Sequence, residues 1–260
     1  METFGYIGAV CIGLILGLTG GGGSILTVPI LVYVMLLNPI TATAYSLFIV
    51  GTTSVFGALQ NYRKDLVDFR NGFLFLFLSF TAIYLTRRFI VPVIPHVIFE
   101  QPFLLLKSTF LMVFFAVIMI FASLSMLKKK KMNLGEPKEI SMPFLIIQTF
   151  IIGLIIGLVG AGGGFLIIPS LVLFAKLPMK KAIGTSLFIM AMNSLIGFMG
   201  DVQNLEIDWV FLLSFTSLSV VGIFIGIYLN KFVNEAQLKK GFAYFVLVMA
   251  LFILYKEFIA

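Results

Sequence analysis

Two glycine clusters are where this chain could do chemistry: Gly20-Gly21-Gly22-Gly23-Ser24 and Gly160-Ala161-Gly162-Gly163-Gly164. Glycine reaches positive φ at little cost and lets another backbone or a ligand come close. Each cluster is followed at the same spacing by a proline, Pro29 and Pro169. A helix that begins at such a cluster presents first-turn N–H groups without intrahelical partners, and its dipole adds positive potential there. That combination binds anions. Close helix packing also uses glycine, but four glycines in five positions, twice over, exceed what packing needs. Gly20, Gly22, Gly23, Ser24, Gly160, Gly162, Gly163 and Gly164 are therefore expected to hold a small anionic solute.

A polar stripe follows each cluster. Ser46 and Thr53 are seven residues apart, within about 20° on a helix, and Gly57 lies beside them. The matching residues farther on are Ser186, Asn193 and Gly197, with Tyr45 and Thr185 one residue before each stripe. Such groups also join helices in membranes. As matched stripes next to the glycine clusters, Ser46, Thr53, Ser186 and Asn193 are expected to line one cavity and complete the coordination of the solute.

Other chemistry is missing. There is no G-x-S-x-G elbow, no H-E-x-x-H pair and no intramembrane acid dyad, and no histidine stands near the stripe serines to activate them. No acid or base falls clearly at mid-membrane depth, so no ion-coupling residue can be named. Cys11 is the only cysteine and His96 the only histidine. Neither makes a metal site, and no cofactor is expected. Asp68 and Asp208, each just before an apolar run, read as helix caps.

The elements that position these residues are helices in lipid. Hydrophobic residues make up 60% of the chain and charged ones 11%, with a mean hydropathy of +1.13. A soluble domain carries roughly 25% charged residues. No charged residue occurs between Thr3 and Tyr62, and charge-free runs recur at 71–86, 108–127, 140–175, 182–200, 209–230 and 241–255. A transmembrane helix needs about 20 apolar residues. The net charge of +7 sits in short loops beside these runs, as in cytoplasmic loops near anionic headgroups. It argues for membrane lipids as a partner and against nucleic acid. The start of the chain, Met-Glu-Thr, lacks the basic region of a cleaved signal peptide.

The chain repeats itself. IGLILGLTGGGGSILTVPILV at 12–32 matches IGLIIGLVGAGGGFLIIPSLV at 152–172, an offset of 140, and 21 of the 46 positions from Ile12 to Gly57 are identical to their partners. The divisions expected are 1–127 as first repeat, 128–141 as basic linker and 142–260 as second repeat.

Residues 4–37 would span about 51 Å as one helix, too long for a core of about 30 Å. If 4–37 and 144–176 are re-entrant hairpins, full spans fall at about 41–61, 70–90, 103–127, 182–200, 209–229 and 241–258. The loops at 61–70, 128–139, 176–181 and 230–240 then share one side and carry 14 of the 18 Lys and Arg residues. If both segments cross, the split is nine against nine. The positive-inside rule favours the hairpins. The expected fold is an all-α polytopic membrane protein of two inverted repeats, each a Gly-tipped re-entrant helix pair plus three transmembrane helices. It is expected in the inner (cell) membrane, with both termini outside and residues 128–141 cytoplasmic.

GLTGGGGSILTVPILV and GLVGAGGGFLIIPSLVLF, each followed by Ser-Leu-Phe 17 residues after the proline, resemble the sulfite exporter TauE/SafE family of membrane permeases. The resemblance covers nearly the whole chain. It implies export or permeation of sulfite or related sulfur anions without an ATPase subunit, and it leaves the individual substrate and oligomeric state open. Ala161 departs from the pattern where the first half has Gly21. A non-transporting membrane assembly or accessory protein is the alternative. It would gain no thermal stability from a solute, whereas a transporter gains it by mass action.

Overall fold

The structure, a computed structural model, describes residues 2–86, 89, 93, 97–99, 105–128, 142–159, 164–173, 175–202 and 205–259. Gly160, Ala161, Gly162 and Gly163 lie outside the described residues, as do His96 and nearly all of the 128–141 linker.

Among the described residues ten helices follow one another: α1 (Glu2–Thr19), α2 (Gly22–Pro29), α3 (Pro39–Tyr62), α4 (Phe69–Leu85), α5 (Lys107–Leu127), α6 (Met142–Val159), α7 (Gly164–Leu173), α8 (Met179–Val202), α9 (Trp209–Asn230) and α10 (Glu235–Ile259). Four contain stretches long and apolar enough to cross a membrane, namely Thr41–Tyr62, Met179–Met199, Trp209–Asn230 and Glu235–Lys256. The expected spans at 70–90 and 103–127 correspond to α4, with 17 residues, and α5, with 21. The all-α expectation is met, with one small ribbon beside the helices. Leu105–Leu106 pairs antiparallel with Val97–Phe99 in a small ribbon, so the helix starts only at Lys107.

The first glycine cluster turns the chain back on itself. Along α2 and the residues after it, Gly23 lies against Ile12 and Leu16, Ile30 against Gly8, and Met35 against Gly5. Rising numbers on one arm meet falling numbers on the other, so residues 2–35 form a hairpin with its tip at Gly20 and Gly21. Pro29 ends the regular ladder because it has no N–H to donate. A single π turn, Ile30–Val34, follows it, with the Met35 N–H bonded to the Ile30 carbonyl at 3.0 Å. Leu36 then takes φ 56° and the Leu37 N–H bonds the Leu31 carbonyl at 3.0 Å. The second half ends its arm the same way. Ala175 bonds Ser170, Lys176 has φ 52°, and Leu177 bonds Leu171 at 3.0 Å. These are the positions 140 residues on, so this turn recurs at the equivalent place in the sequence repeat.

The halves interlock. Gly13 and Gly17 of α1 lie against the backbone of Ser219, Ile223 and Gly226 on α9, while Gly153 of α6 lies against Ser79 and Ala82 of α4. Small residues allow this close approach of backbones. Each half thus packs its first arm on the other half's fourth helix. The equivalent helices α3 and α8 cross antiparallel: Gly51 meets Leu195, Gly57 meets Leu187, and Gly197 meets Leu47. On α5, Ser123 Oγ donates to the Ala243 carbonyl of α10 at 2.7 Å. The centre is filled by Phe75, Phe215, Phe242, Leu16 and Ile167, while Phe77, Phe121, Val248 and Phe252 point outward. Apolar side chains on both faces of the bundle suit a lipid surround, in which every backbone polar group must be satisfied internally.

Candidate functional site

The tip of the first hairpin is held by backbone contacts. Gly20 has φ 74°, a left-handed conformation that glycine adopts readily. Its carbonyl accepts from Ser186 Oγ at 2.8 Å, and a Cβ on it would meet Ile183 Cα at 2.8 Å. Gly21 lies directly on Gly164, the first residue of α7, and a Cβ on Gly21 would strike the Gly164 carbonyl. The start of one half's second arm therefore touches the start of the other's. Gly164 packs on Met190 and Gly22 on Phe245, near the middles of α8 and α10, so the junction is deep in the bundle.

The tip donors are partly engaged. Gly22 N–H donates to Thr19 Oγ1 at 3.0 Å, and Thr19 Oγ1 in turn donates to the Ile15 carbonyl. Ser24 directs both its N–H, at 3.3 Å, and its Oγ, at 2.7 Å, to the Gly21 carbonyl. Gly23 lies against the Ile12 carbonyl. This is a packed tip.

The stripe residues are all buried, and the structure gives them two different jobs. Ser46 Oγ donates to the Thr43 carbonyl at 2.7 Å. Ser186 Oγ is shared between the Ile183 and Gly20 carbonyls, so it clasps the tip. Thr53 Oγ1 donates to Ser219 Oγ at 3.1 Å, and Asn193 Nδ2 donates to Ser79 Oγ at 3.0 Å. These two bonds are repeat equivalents. They do not join Thr53 to Asn193, whose partners sit on α9 and α4. The stripe pattern does not include Ser79 and Ser219, nor Ser54 and Ser194. The signal was present in each case, since each pair is serine at both positions of the 140-residue offset.

A second pair of cross-half bonds lies toward the helix ends. Asp68 and Asp208 cap α4 and α9, accepting from the Asn71 and Phe211 amides at 3.0 Å each. Their own N–H groups donate to Thr185 Oγ1 at 2.9 Å and to Tyr45 Oη at 2.7 Å. The Asp68 end gathers basic residues: burial, and then the nearby Lys231 ammonium, lower the pKa of Lys64. At the opposite end, Lys256 Nζ stands 3.7 Å above the Tyr33 ring. A cavity of about 340 Å³ opens there between Val34, Met35, Leu36, Leu37, Tyr45, Asp208 and Phe211. Among the described residues, no group of three His, Cys, Asp or Glu side chains could hold a metal.

A family model described as "Sulfite exporter TauE/SafE" matches residues 6–253. A probable membrane transporter protein of Xylella fastidiosa is 25% identical over 253 residues, covering 95% of this chain and 92% of the relative. The probable membrane transporter protein YunE of Bacillus subtilis is 25% identical over 243 residues, covering 87% and 89%. A probable membrane transporter protein of Methanocaldococcus jannaschii is 35% identical over 117 residues, 43% of this chain and 44% of that one. No solved structure matches.

Proposed function

Because the chain belongs to the sulfite exporter TauE/SafE family, and so is an integral membrane transporter and not an enzyme, we propose that it is a secondary permease for small anions, foremost sulfite and related sulfur oxyanions. The observation that carries this reading is the contact of Gly21 with Gly164 deep in the bundle. It brings the beginnings of two helices together in a setting where the buried polar residues among those described include no charged side chain, so that their N–H groups are the natural anion donors. In the packed state Thr19 and the Gly21 carbonyl occupy several of these donors. Solute binding then means parting the tips and exchanging those bonds. The residues we assign to the solute are Gly20, Gly22, Gly23 and Ser24 with their counterparts Gly160, Gly162, Gly163 and Gly164, flanked by Ser46, Thr53, Ser186 and Asn193.

The same reading sets the two halves inverted in the membrane. Equivalent helices related by a two-fold axis along the membrane normal would run parallel, whereas α3 and α8 cross antiparallel. An axis in the membrane plane, the plan of many secondary transporters, accounts for this. It also places the Lys64–Lys231 end inside by the positive-inside rule, with both termini outside in the cell membrane. Relatives named as transporters weigh against a purely accessory role.

The test is a thermal-shift series on purified protein with sulfite, sulfate, thiosulfate, sulfoacetate, taurine and acetate, followed by uptake into proteoliposomes. Selective stabilisation and flux with sulfur oxyanions is the expected result. Flux of none of them sinks the assignment.

A further inference from the structure

Two hydroxyls at the α3–α8 crossing are buried without a protein partner, Ser54 Oγ and Ser194 Oγ; next to Ser194 in the chain, Asn193 Oδ1, whose amide group faces Ser79 of α4, is likewise unpaired. Ser54 and Ser194 are repeat equivalents, and both are fully buried. They lie on the facing stripes of the two helices. Ser54 stands with Leu47, Gly51 and Gly57, and Ser194 with Leu187, Leu195 and Gly197, the residues that make the crossing contacts. Gly51 touches the Leu195 amide. Since the helices run oppositely, Ser54 and Ser194 fall within about one turn of each other along the crossing. Met190, one turn before Ser194, packs on Gly164, so the start of α7 opens beside them.

Buried polar groups are nearly always hydrogen-bonded, and unpaired ones at both members of an equivalent pair point to a ligand. The other stripe hydroxyls are occupied: Ser46 and Ser186 by main-chain carbonyls, Thr53 by Ser219. We propose that Ser54 and Ser194 are the hydroxyl pair that recognises the transported oxyanion, with Asn193 Oδ1 receiving a proton that the solute itself carries. This rests on the permease reading above and names the form of its substrate. Two hydroxyl donors and one acceptor fit hydrogensulfite. Sulfate offers no proton, and a dianion has no counter-charge here, because the buried polar residues among those described include no charged side chain. Burying an uncompensated dianion is prohibitively costly.

The experiment is sulfite uptake into proteoliposomes in a mildly acidic buffer, where sulfite is mostly singly protonated, by wild type, Ser54→Ala and Ser194→Ala. Sulfate and methanesulfonate serve as competitors, and melting temperature is read with and without sulfite. The expected result is a rise in KM of about tenfold or more for each variant, the loss of one hydrogen-bonded group, with the sulfite-dependent melting shift correspondingly reduced. The melting temperature without sulfite should be unchanged or higher, since alanine removes an unpaired buried hydroxyl. Sulfate should not compete, and methanesulfonate, an anion without a proton to give, should compete only weakly. Should an alanine variant fail to fold, the corresponding Ser→Cys, which keeps the volume but donates poorly, must show the same rise. Wild-type KM in both variants overturns the hydroxyl pair while leaving the permease reading intact. Strong competition by sulfate overturns the monoanion. A wild type that moves no sulfur oxyanion overturns both readings together.

Discussion

Thr53 Oγ1 donates to Ser219 Oγ at 3.1 Å, and the same bond recurs in the other half as Asn193 Nδ2 to Ser79 Oγ at 3.0 Å. Each bond ties a central crossing helix to the opposite half's helix on which its own half's first hairpin arm packs. Their stability effect follows from burial. Thr53→Val leaves Ser219 without its partner, which costs about 1–3 kcal/mol. Ser219→Ala in the same molecule removes the orphan, so the double variant should lose less than the two singles combined. A double-mutant cycle on thermal melting measures this. Additive losses would mean that the bond contributes nothing.

Solute affinity should respond at the same positions. Thr53→Val unsettles a buried polar contact one residue from Ser54, and Asn193→Leu removes both the equivalent contact and the acceptor assigned to the solute's proton; a tenfold loss corresponds to about 1.4 kcal/mol. Substrate titration should show each weakened about tenfold, with the double variant losing less than the sum. No effect from either change would reduce both residues to packing.

The tip glycines make a sharper case. Gly20→Ala puts a Cβ on a residue at φ 74°, within 2.8 Å of Ile183 Cα. Gly21→Val drives side chain into the backbone of Gly164. Overpacking of this kind costs about 1–3 kcal/mol, and neither change touches an apolar span. Membrane insertion should therefore persist while transport is lost. Wild-type flux by either variant would remove the tips from the transport path.

The repeat, the hairpin turn at Gly20–Gly21 and the capping by Asp68 and Asp208 were legible in the sequence because glycine, proline and aspartate act on their immediate neighbours. Partnership across the halves was not legible. Nothing local distinguishes Ser46, whose hydroxyl bonds its own helix, from Thr53, whose hydroxyl reaches another. That difference depends on which helix packs where, and the interlocking of α1 with α9 and α6 with α4 is set by small-residue faces spread over long sequence separations. Ser54 and Ser194 were readable as an identity in the repeat, but they look like any membrane serine until their burial and lack of partners are known.

The proposed orientation is tested at the C-terminus. A periplasm-active reporter fused after Ala260 should be active and a cytoplasm-active one silent, given the basic Lys64–Lys231 end and the positive-inside rule. The opposite pattern would reverse the arrangement.

The two ends also differ in how they are latched, and this sets the last expectation. At one end the Asp208 N–H donates to Tyr45 Oη at 2.7 Å; at the other the Asp68 N–H donates to Thr185 Oγ1 at 2.9 Å. Both bonds cross between halves at equivalent positions, so an inverted transporter would break one to open outward and the other to open inward. Tyr45→Phe removes only the first acceptor, and Thr185→Val only the second. A net hydrogen bond contributes about 0.5–1.5 kcal/mol, enough to move a two-state equilibrium by roughly twofold to tenfold. In a Cys11→Ser background, a thiol reporter at Val34→Cys, beside the Tyr45 cavity, should label faster when Tyr45→Phe is added. A reporter at Leu66→Cys, beside Gly184 at the other end, should label more slowly or unchanged. Thr185→Val should reverse that pattern. Both reporters accelerating together in either variant would show that the bonds hold the fold as a whole, and that opening at the two ends is not controlled by them.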